Sequence, residues 1–440
     1  LASDGAAIDA ACRAAGIHRV RTPRELIDAA QALLRCTPAR GRRVAVLADG
    51  GGHGSIAAAV AADVGLEVPE LAAPIAAELR AQLPAAAGVT NPVDLAGGAE
   101  QDVHTFDRVA LTLLANDQAD ALLITGYFGG YAEYGPAVQD EELRVAARLG
   151  EVAAGTARPI VVHTMYPHGP AAAALRSAGV AVYESVEQAA AAVKRLADAG
   201  SRGHTPVPEL PARDPAVAGE GYDAARAVLA AGGVPFVAQR TVTTLEEAAG
   251  TAQAIGYPVV LKALGALHKS EGGGVVLALP GAAELQRAYR DMARRLAPPA
   301  YSVEAMAPLA DGVELLIGAR WDARFGPVAL AGAGGIHTEV LRDTAVALAP
   351  VTEAQAEAML RSLRIAPLLL GARGRPPVDL AAAAAALSAL SRVAAAHPDL
   401  AELEINPLLV TPAGAVALDA RFVPAPPTQG AREDAVHLHA

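Results

Sequence analysis

The residues best suited to chemistry lie between Gly256 and Val275, in GYPVVLKALGALHKSEGGGV. Gly256-Tyr257-Pro258 closes a helix and opens a strand, because glycine frees the backbone and proline cannot continue a helix. Val259, Val260 and Leu261 read as a short buried strand that delivers Lys262 at its far end. His268 and Lys269 follow, then Gly272, Gly273 and Gly274 and another apolar strand. A cation at a strand end, a histidine and bare backbone amides suit a polyphosphate, since a missing Cβ lets N–H groups approach phosphate oxygens closely. Each part also has an ordinary reading. A lysine beside a strand is commonly a solvated charge, and a glycine run is commonly a hairpin turn.

The far end of the chain offers a metal site. Asn406 and Asp419 fall on neighbouring strands of one hairpin, where an amide oxygen, a carboxylate and phosphate oxygens together would satisfy octahedral Mg²⁺. The competing reading is a strand-ending Asn-Pro turn and a surface aspartate. His268 has the chemistry to accept a phosphoryl group on a ring nitrogen and release it again, or it is a loop histidine with local hydrogen bonds. Gly334 and Gly335 can offer amides to phosphate or form a strand-to-helix turn, and Glu304 and Glu314 lie on strands that border a nucleotide pocket. Upstream, Gly50, Gly51, Gly52, His53 and Gly54 follow a strand and precede a helix, with His53 reading first as an exposed loop side chain. His163, His168 and His204 lack metal-ligand spacing, and Ser55 is not in a nucleophile-elbow pattern.

The elements that must position these groups follow from composition and pattern. The 440 residues suit roughly three compact domains. They are 52% hydrophobic but only 3% aromatic, so the cores are built from Ala, Val and Leu and the chain is not disordered. A net charge of −11 without a long basic block argues against nucleic acid as a partner. Two cysteines, Cys12 and Cys36, give no disulfide framework and fit a reducing cytoplasm. No signal peptide or membrane span is visible. The alanine-rich run from Leu380 to Leu390 is short and flanked by Asp379 and Arg392. The chain opens on Leu1 rather than Met, which reads as a fragment or a non-standard start.

Residues 1–38 read as two helices around a short strand at Val20, with Thr22 capping the second helix, like the last turn of a domain whose beginning is absent. Residues 39–200 alternate strands (44–47, 121–124, 160–163, 180–183) with helices such as 141–154 and 186–199. Continuous apolar strands of that kind form a parallel sheet covered on both faces. Residues 201–220 are a Pro-rich linker, and 221–424 form a further α+β domain ending in a hairpin of 403–410 and 415–419. Residues 425–440 read as a mobile, Pro-rich tail.

The motifs GYPVVLK (256–262), HKSEGGGV (268–275), FGPVALAGAGGI (325–336), LLLGARG (368–374) and LEINPLLV with ALDARF (403–422) resemble the NDP-forming acyl-CoA synthetases. That family is typified by ADP-forming acetate–CoA ligase and related to succinyl-CoA synthetase. The resemblance extends through DGGGHGSIAAAVAADVGL (49–66) and NPVDLAGGA (91–99), and so over almost the whole chain. It implies a flavodoxin-like doubly wound ligase domain at 39–200, preceded by the C-terminal remnant of a succinyl-CoA-synthetase-like flavodoxin domain at 1–38. An ATP-grasp domain at 221–424 would follow.

By position, the resemblance implies Lys262 on nucleotide phosphates, Asn406 and Asp419 on Mg²⁺, and His268 as a phosphate-shuttling histidine. It also implies that the Gly50–Gly54 loop faces a phosphohistidine. Implied ligands are ATP or ADP (adenine rather than guanine), Mg²⁺, phosphate and acyl-CoA, with the CoA site outside this chain. The family's CoA-binding domain and first catalytic histidine are missing, to be supplied in cis or by a separate subunit of an oligomer. His53 stands where the family usually has proline. The expected function is the nucleotide half of an acid–thiol ligase in the cytoplasm. The alternative is a non-catalytic nucleotide- or acyl-CoA-sensing module, as in the synthetase-like halves of protein lysine acetyltransferases.

Overall fold

The structure, a computed structural model, describes residues 4–201, 209–265, 273–308, 312–335, 343–372 and 374–426. The chain forms two compact units, His18–Thr205 and Leu1–Ile17 with Pro206–Ala440.

In the first unit, β1 (Val44–Ala48), β2 (Val93–Asp94), β3 (Ala121–Gly126), β4 (Ile160–Thr164) and β5 (Ala181–Tyr183) form one parallel sheet in the order β2-β1-β3-β4-β5. That is the flavodoxin-like order. Side chains alternate across each strand, so a continuous apolar run feeds two cores at once. Val44, Val46, Leu123 and Val161 pack with Ala57, Ala61, Val193 and Leu196 on one face. Ala45, Leu47, Leu122 and Val162 pack with Phe106, Val109, Val145 and Leu149 on the other. The sequence pattern does not foretell β2. Its lead-in is Asn91, whose side chain accepts from Val46 N–H at 2.9 Å and donates to Val44 O at 2.9 Å, occupying the β1 edge before the ladder begins.

The second unit holds two antiparallel sheets. β6 (Gln239–Val242), β7 (Val259–Leu264), β8 (Val275–Leu279) and β9 (Ala300–Ala305) are ordered β6-β9-β7-β8, with helices Leu245–Ile255 and Ala282–Leu296 packed on the sheet. Thr244 and Glu247 form a reciprocal capping box at the start of the first of these helices. The larger sheet, β10 (Val313–Asp322), β11 (Gly326–Ala333), β12 (Thr344–Leu348), β13 (Leu400–Thr411), β14 (Gly414–Ala417) and β15 (Ala420–Pro424), runs β12-β11-β10-β13-β14, with β15 also on β13. Leu315, Ile317 and Ala319 face the helices Gly221–Ala231, Glu353–Arg361 and Leu380–Ala396. Leu316, Val328 and Leu330 face Ala7 and Ala10 of helix Asp4–Ala14.

Several elements differ from the expectation. Residues 1–38 are divided: helix Asp4–Ala14 belongs to the second unit, whereas helix Pro23–Arg35, capped by Thr22, belongs to the first. Val20 lies in no strand. The glycine run after β1 is not a loop, because the helix Gly51–Asp63 already begins inside it with Gly50 as N-cap. The strand expected at 415–419 ends at Ala417. Of the linker, the described residues 209–220 are tied down rather than free, with Asp214 N–H on Ala396 O (3.0 Å) and Val217 N–H on Asp399 Oδ2 (3.2 Å). The tail expectation falls largely on residues outside the described set.

Candidate functional site

Lys262 sits in the interior of the smaller sheet, paired with Ser302 of β9 and Val275 of β8, and is only 7% exposed. A buried ammonium needs partners on every side, since an unpaired one costs about 5 kcal/mol of desolvation. It has them. Nζ lies 2.9 Å from Glu304 Oε2, with the two side chains 8% and 2% exposed. It also donates to the Leu418 carbonyl and stands 5.1 Å from the centre of the Tyr222 ring. The other Glu304 oxygen accepts from the Ser302 hydroxyl at 2.8 Å. Burial, and next the charge of Glu304, push the Tyr222 phenol up, so it stays neutral. Glu304 is therefore the counter-charge of Lys262, and the solvated-lysine reading does not survive.

The Leu418 carbonyl leads directly to the second half of the site. β13 pairs with β15 through Leu400–Ile405 and with β14 through Leu408–Thr411. Between these stretches lie Asn406 and Pro407, facing the single Leu316 of β10, which makes a bulge. Proline supplies no N–H to a ladder there. Opposite the bulge the chain crosses from β14 to β15 through Leu418 and Asp419, where Leu418 N–H donates to Pro407 O (3.0 Å) and Asn406 N–H to Asp419 O (3.2 Å). The Asn406 side-chain oxygen accepts from Gly335 N–H at 3.3 Å. Asp419 Oδ1 accepts from Ala420 N–H at 3.0 Å. Asn406 thus sits on β13, in its bulge, whereas Asp419 lies in the gap between β14 and β15 rather than on a strand.

Gly334 and Gly335 end β11 beside Glu314. Gly334 N–H donates to Glu314 O at 2.9 Å, and a Cβ on Gly334 would lie 2.5 Å from the Leu315 backbone. Gly335 has φ +67°, and a Cβ there would lie 2.1 Å from Glu314 Oε2. The Glu314 side chain is exposed, at the mouth of this turn. Gly274 O accepts from Ala263 N–H at 2.8 Å, and Gly273 O accepts from Arg295 at 3.2 Å. His268 and Gly272 lie outside the described residues.

The structure thus joins Lys262, Glu304, Asp419, Asn406, Gly335 and Glu314 in one continuous set. Among the described residues no group of three or more His, Cys, Asp or Glu side chains is arranged to hold a metal by itself. An amide oxygen and one carboxylate nonetheless fit Mg²⁺, which keeps waters and takes phosphate oxygens rather than a full protein cage. The donor set therefore fits an Mg-nucleotide. Sequence reasoning missed Tyr222, Ser302 and the Leu418 carbonyl. Leu418 and Lys262 lie 156 positions apart and belong to different sheets, so only the tertiary fold brings them together.

The carboxyl edge of the first unit's sheet carries a separate cluster. Asp49, just past β1, accepts from Tyr127 N–H (2.7 Å) and the Tyr131 hydroxyl (3.3 Å), both on the segment following β3. This is the point where the strand order reverses, the usual ligand position in such sheets. His53 Nδ1 lies 3.6 Å from Asp49 Oδ1, and His163 Nδ1 lies 2.7 Å from Thr125 Oγ1. Burial, and next the nearby His53, hold the His163 imidazole below its ordinary value. Gly126 has φ +122° and leaves no room for a Cβ, which would fall 2.1 Å from Asp49 Oδ1. Gly51 and Gly54 are closely approached by Asp94 and Pro92, whereas Gly52 faces open space and a Cβ on Gly50 would lie 4.0 Å from His53 Nδ1. His53, read as a bare loop residue, is in fact a helical side chain beside a carboxylate.

A family model described as an ATP-grasp domain matches residues 221–423. Acetate–CoA ligase [ADP-forming] I subunit beta of Pyrococcus furiosus is 34% identical over 208 residues, 45% of this chain and 89% of that one. A trans-feruloyl-CoA synthase from an unknown prokaryotic organism is 30% identical over 96% of this chain and 61% of its own length. The acetate–CoA ligase [ADP-forming] I of Archaeoglobus fulgidus is 28% identical over 96% and 62% respectively. The chain therefore spans about three fifths of these two longer curated relatives. Among solved structures, a Ca. Korarchaeum cryptofilum acetyl-coenzyme A synthetase chain is similar with a TM-score of 0.45 and 34% identity, covering 47% of this chain and 93% of that one. Among the described residues no helix is long and apolar enough to cross a membrane.

Proposed function

The chain belongs to the ADP-forming acetate–CoA ligase family, and from that premise we propose that its second unit transfers a phosphoryl group between an Mg-nucleotide and His268. The observation that carries the proposal is the hydrogen-bonded path from Lys262 through Leu418–Asp419 to Asn406 and Gly335. It unites a cation for phosphate, two oxygen donors for a metal and a glycine backbone at one strand break. In the direction of histidine phosphorylation, an imidazole nitrogen attacks the terminal phosphorus of ATP. An N–P bond forms as the P–O bond to the β-phosphate breaks, and ADP leaves with the electron pair. Mg²⁺, when bound, neutralises charge on the phosphate oxygens. Lys262 holds the oxygens in place, Asn406 and Asp419 supply protein donors, and Gly334 and Gly335 let backbone amides come close.

In the whole protein this half-reaction would be coupled to interconversion of acyl-CoA and carboxylic acid through acyl phosphate, as the acetate–CoA ligase relatives' names suggest. Thus acyl-CoA, ADP and phosphate would give acid, CoA and ATP. The helix start at Gly50, Gly51, Gly52 and Gly54 would face a phosphohistidine, whose anion its dipole would stabilise. The CoA-binding part would come in cis or from a separate subunit of an oligomer; both alpha and beta subunits of Pyrococcus furiosus enzymes match portions of this chain. Free Cys12 and Cys36 favour the cytoplasm.

The test is to incubate the protein with radiolabelled ATP and Mg²⁺. Acid-labile, base-stable label that disappears in His268→Ala is expected. Label that survives that substitution refutes His268 as the acceptor. Nucleotide binding with no label at all would favour the sensing module instead.

A further inference from the structure

We propose that Tyr222 is a positioning residue for nucleotide binding, acting through Lys262; this rests on the nucleotide reading above. Tyr222 lies in the first turn of helix Gly221–Ala231, is 5% exposed, and presents its ring to the Lys262 ammonium at 5.1 Å. The ammonium has three N–H bonds and three sets of partners: the Glu304 carboxylate, the Leu418 carbonyl and this ring. Glu304 is held by the Ser302 hydroxyl at 2.8 Å and also faces the Tyr222 phenol. The helix bearing Tyr222 is anchored by Ala225 and Leu229 in the core of the larger sheet. Two partners are therefore fixed on rigid elements, and the third is a neutral carbonyl on a crossover between strands.

That difference decides what a phosphate oxygen would replace. A charge-assisted bond to phosphate is stronger than one to a neutral carbonyl, so the Leu418 carbonyl is the partner that yields. Glu304 and Tyr222 stay and fix the direction of the remaining N–H. A lysine side chain otherwise carries substantial rotamer entropy, which an unguided ammonium would lose at each binding event. The ring contributes a quadrupole without bringing a second negative charge against the incoming phosphates, as another carboxylate would. Release of Leu418 also acts on its neighbour Asp419, so capture of phosphate by Lys262 is felt at the metal donors.

The experiment measures Mg-ADP affinity of the full chain by calorimetry, with unfolding followed alongside. Tyr222→Leu, which removes the ring, is expected to weaken binding about tenfold, and Tyr222→Phe, which keeps it, to stay within about twofold. In a Lys262→Met background, Tyr222→Leu should cause no further loss, which a merely structural role would not reproduce. Unchanged or tighter binding by Tyr222→Leu overturns the proposal, as does an equal loss in the Lys262→Met background. A second measurement does not depend on nucleotide: the rate of amidination of Lys262, followed by mass spectrometry. It should rise in Tyr222→Leu and not in Tyr222→Phe, and an unchanged rate refutes the positioning role. Failure of the wild-type chain to bind Mg-ADP would sink the nucleotide reading instead, leaving the amidination result to decide whether Tyr222 holds Lys262.

Discussion

Replacing Lys262 by methionine should separate the electrostatic account of this site from a packing account. Methionine keeps most of the side chain's length and removes the ammonium, which leaves Glu304, at 2% exposure, beside the Ser302 hydroxyl and the Tyr222 phenol without its counter-charge. Breaking a buried pair by removing one partner costs about 3–5 kcal/mol, chiefly because the surviving charge is stranded. Replacing both partners is different: Lys262→Met with Glu304→Leu removes the stranded charge and should recover stability to within about 1–2 kcal/mol of the wild type. The assay is urea unfolding followed by fluorescence. The chain has a single tryptophan, Trp321 in β10, so the signal reports the second unit even where the two units unfold separately. A Lys262→Met cost below about 1 kcal/mol, or a double variant no more stable than the single, would refute the reasoning.

Other outcomes follow from the same geometry. Gly334→Ala should destabilise the second unit by about 2–3 kcal/mol, because its Cβ meets the Leu315 backbone. Gly335→Ala should cost nearer 1 kcal/mol, since the obstructing Glu314 side chain can swing away and the remaining cost is the left-handed backbone; the comparison is again read by Trp321 fluorescence. In the first unit, His104 is held above its ordinary value chiefly by its hydrogen bond to Glu141, with Asp107 adding to it. A raised folded-state value means the contribution is full below about pH 6.5 and lost as pH rises through the folded value. His104→Gln should therefore flatten the stability of this unit above about pH 6.5, measured by circular dichroism melts across that range. Asp419→Asn should raise the Mg²⁺ concentration needed for nucleotide binding while leaving metal-free nucleotide binding little changed, which calorimetric titration can check.

How far the sequence speaks depends on whether a feature is local. Helix Leu245–Ile255 is legible because Thr244 and Glu247 write its start and Gly256 its end within a dozen positions. The parallel sheet is legible because runs such as Val44–Leu47 serve two cores and must be continuously apolar. β6 and β12 are hidden, since edge strands with exposed positions, such as Arg240 and Thr344, carry little periodic signal. At the site, residue types alone single out Lys262, Asn406 and Asp419, but not their company. The Tyr222 ring, the Leu418 carbonyl and the Asp49 cluster come from segments far apart in the chain, and two of these contacts use backbone atoms that every residue possesses.

The departures from regular pairing explain why the second unit's candidate site lies where it does. An unbroken antiparallel ladder satisfies its own backbone groups and leaves nothing to point at a ligand. At β13 the ladder changes partner, and the bulge at Asn406–Pro407 against Leu316 frees backbone that would otherwise be spent on a neighbouring strand. The Leu418 carbonyl is then open to Lys262, the Asn406 side chain turns to Gly335, and Asp419 stands between β14 and β15. A proline at position 407 keeps the bulge from annealing into a ladder, since it has no N–H to offer. Pro407→Ala should therefore loosen the placement of Asn406 and Asp419. We expect a several-fold weaker Mg-nucleotide affinity by calorimetry, roughly 1 kcal/mol of lost preorganisation. Affinity equal to the wild type would show that the bulge is held by its neighbours alone, and that the proline is not what keeps the site open.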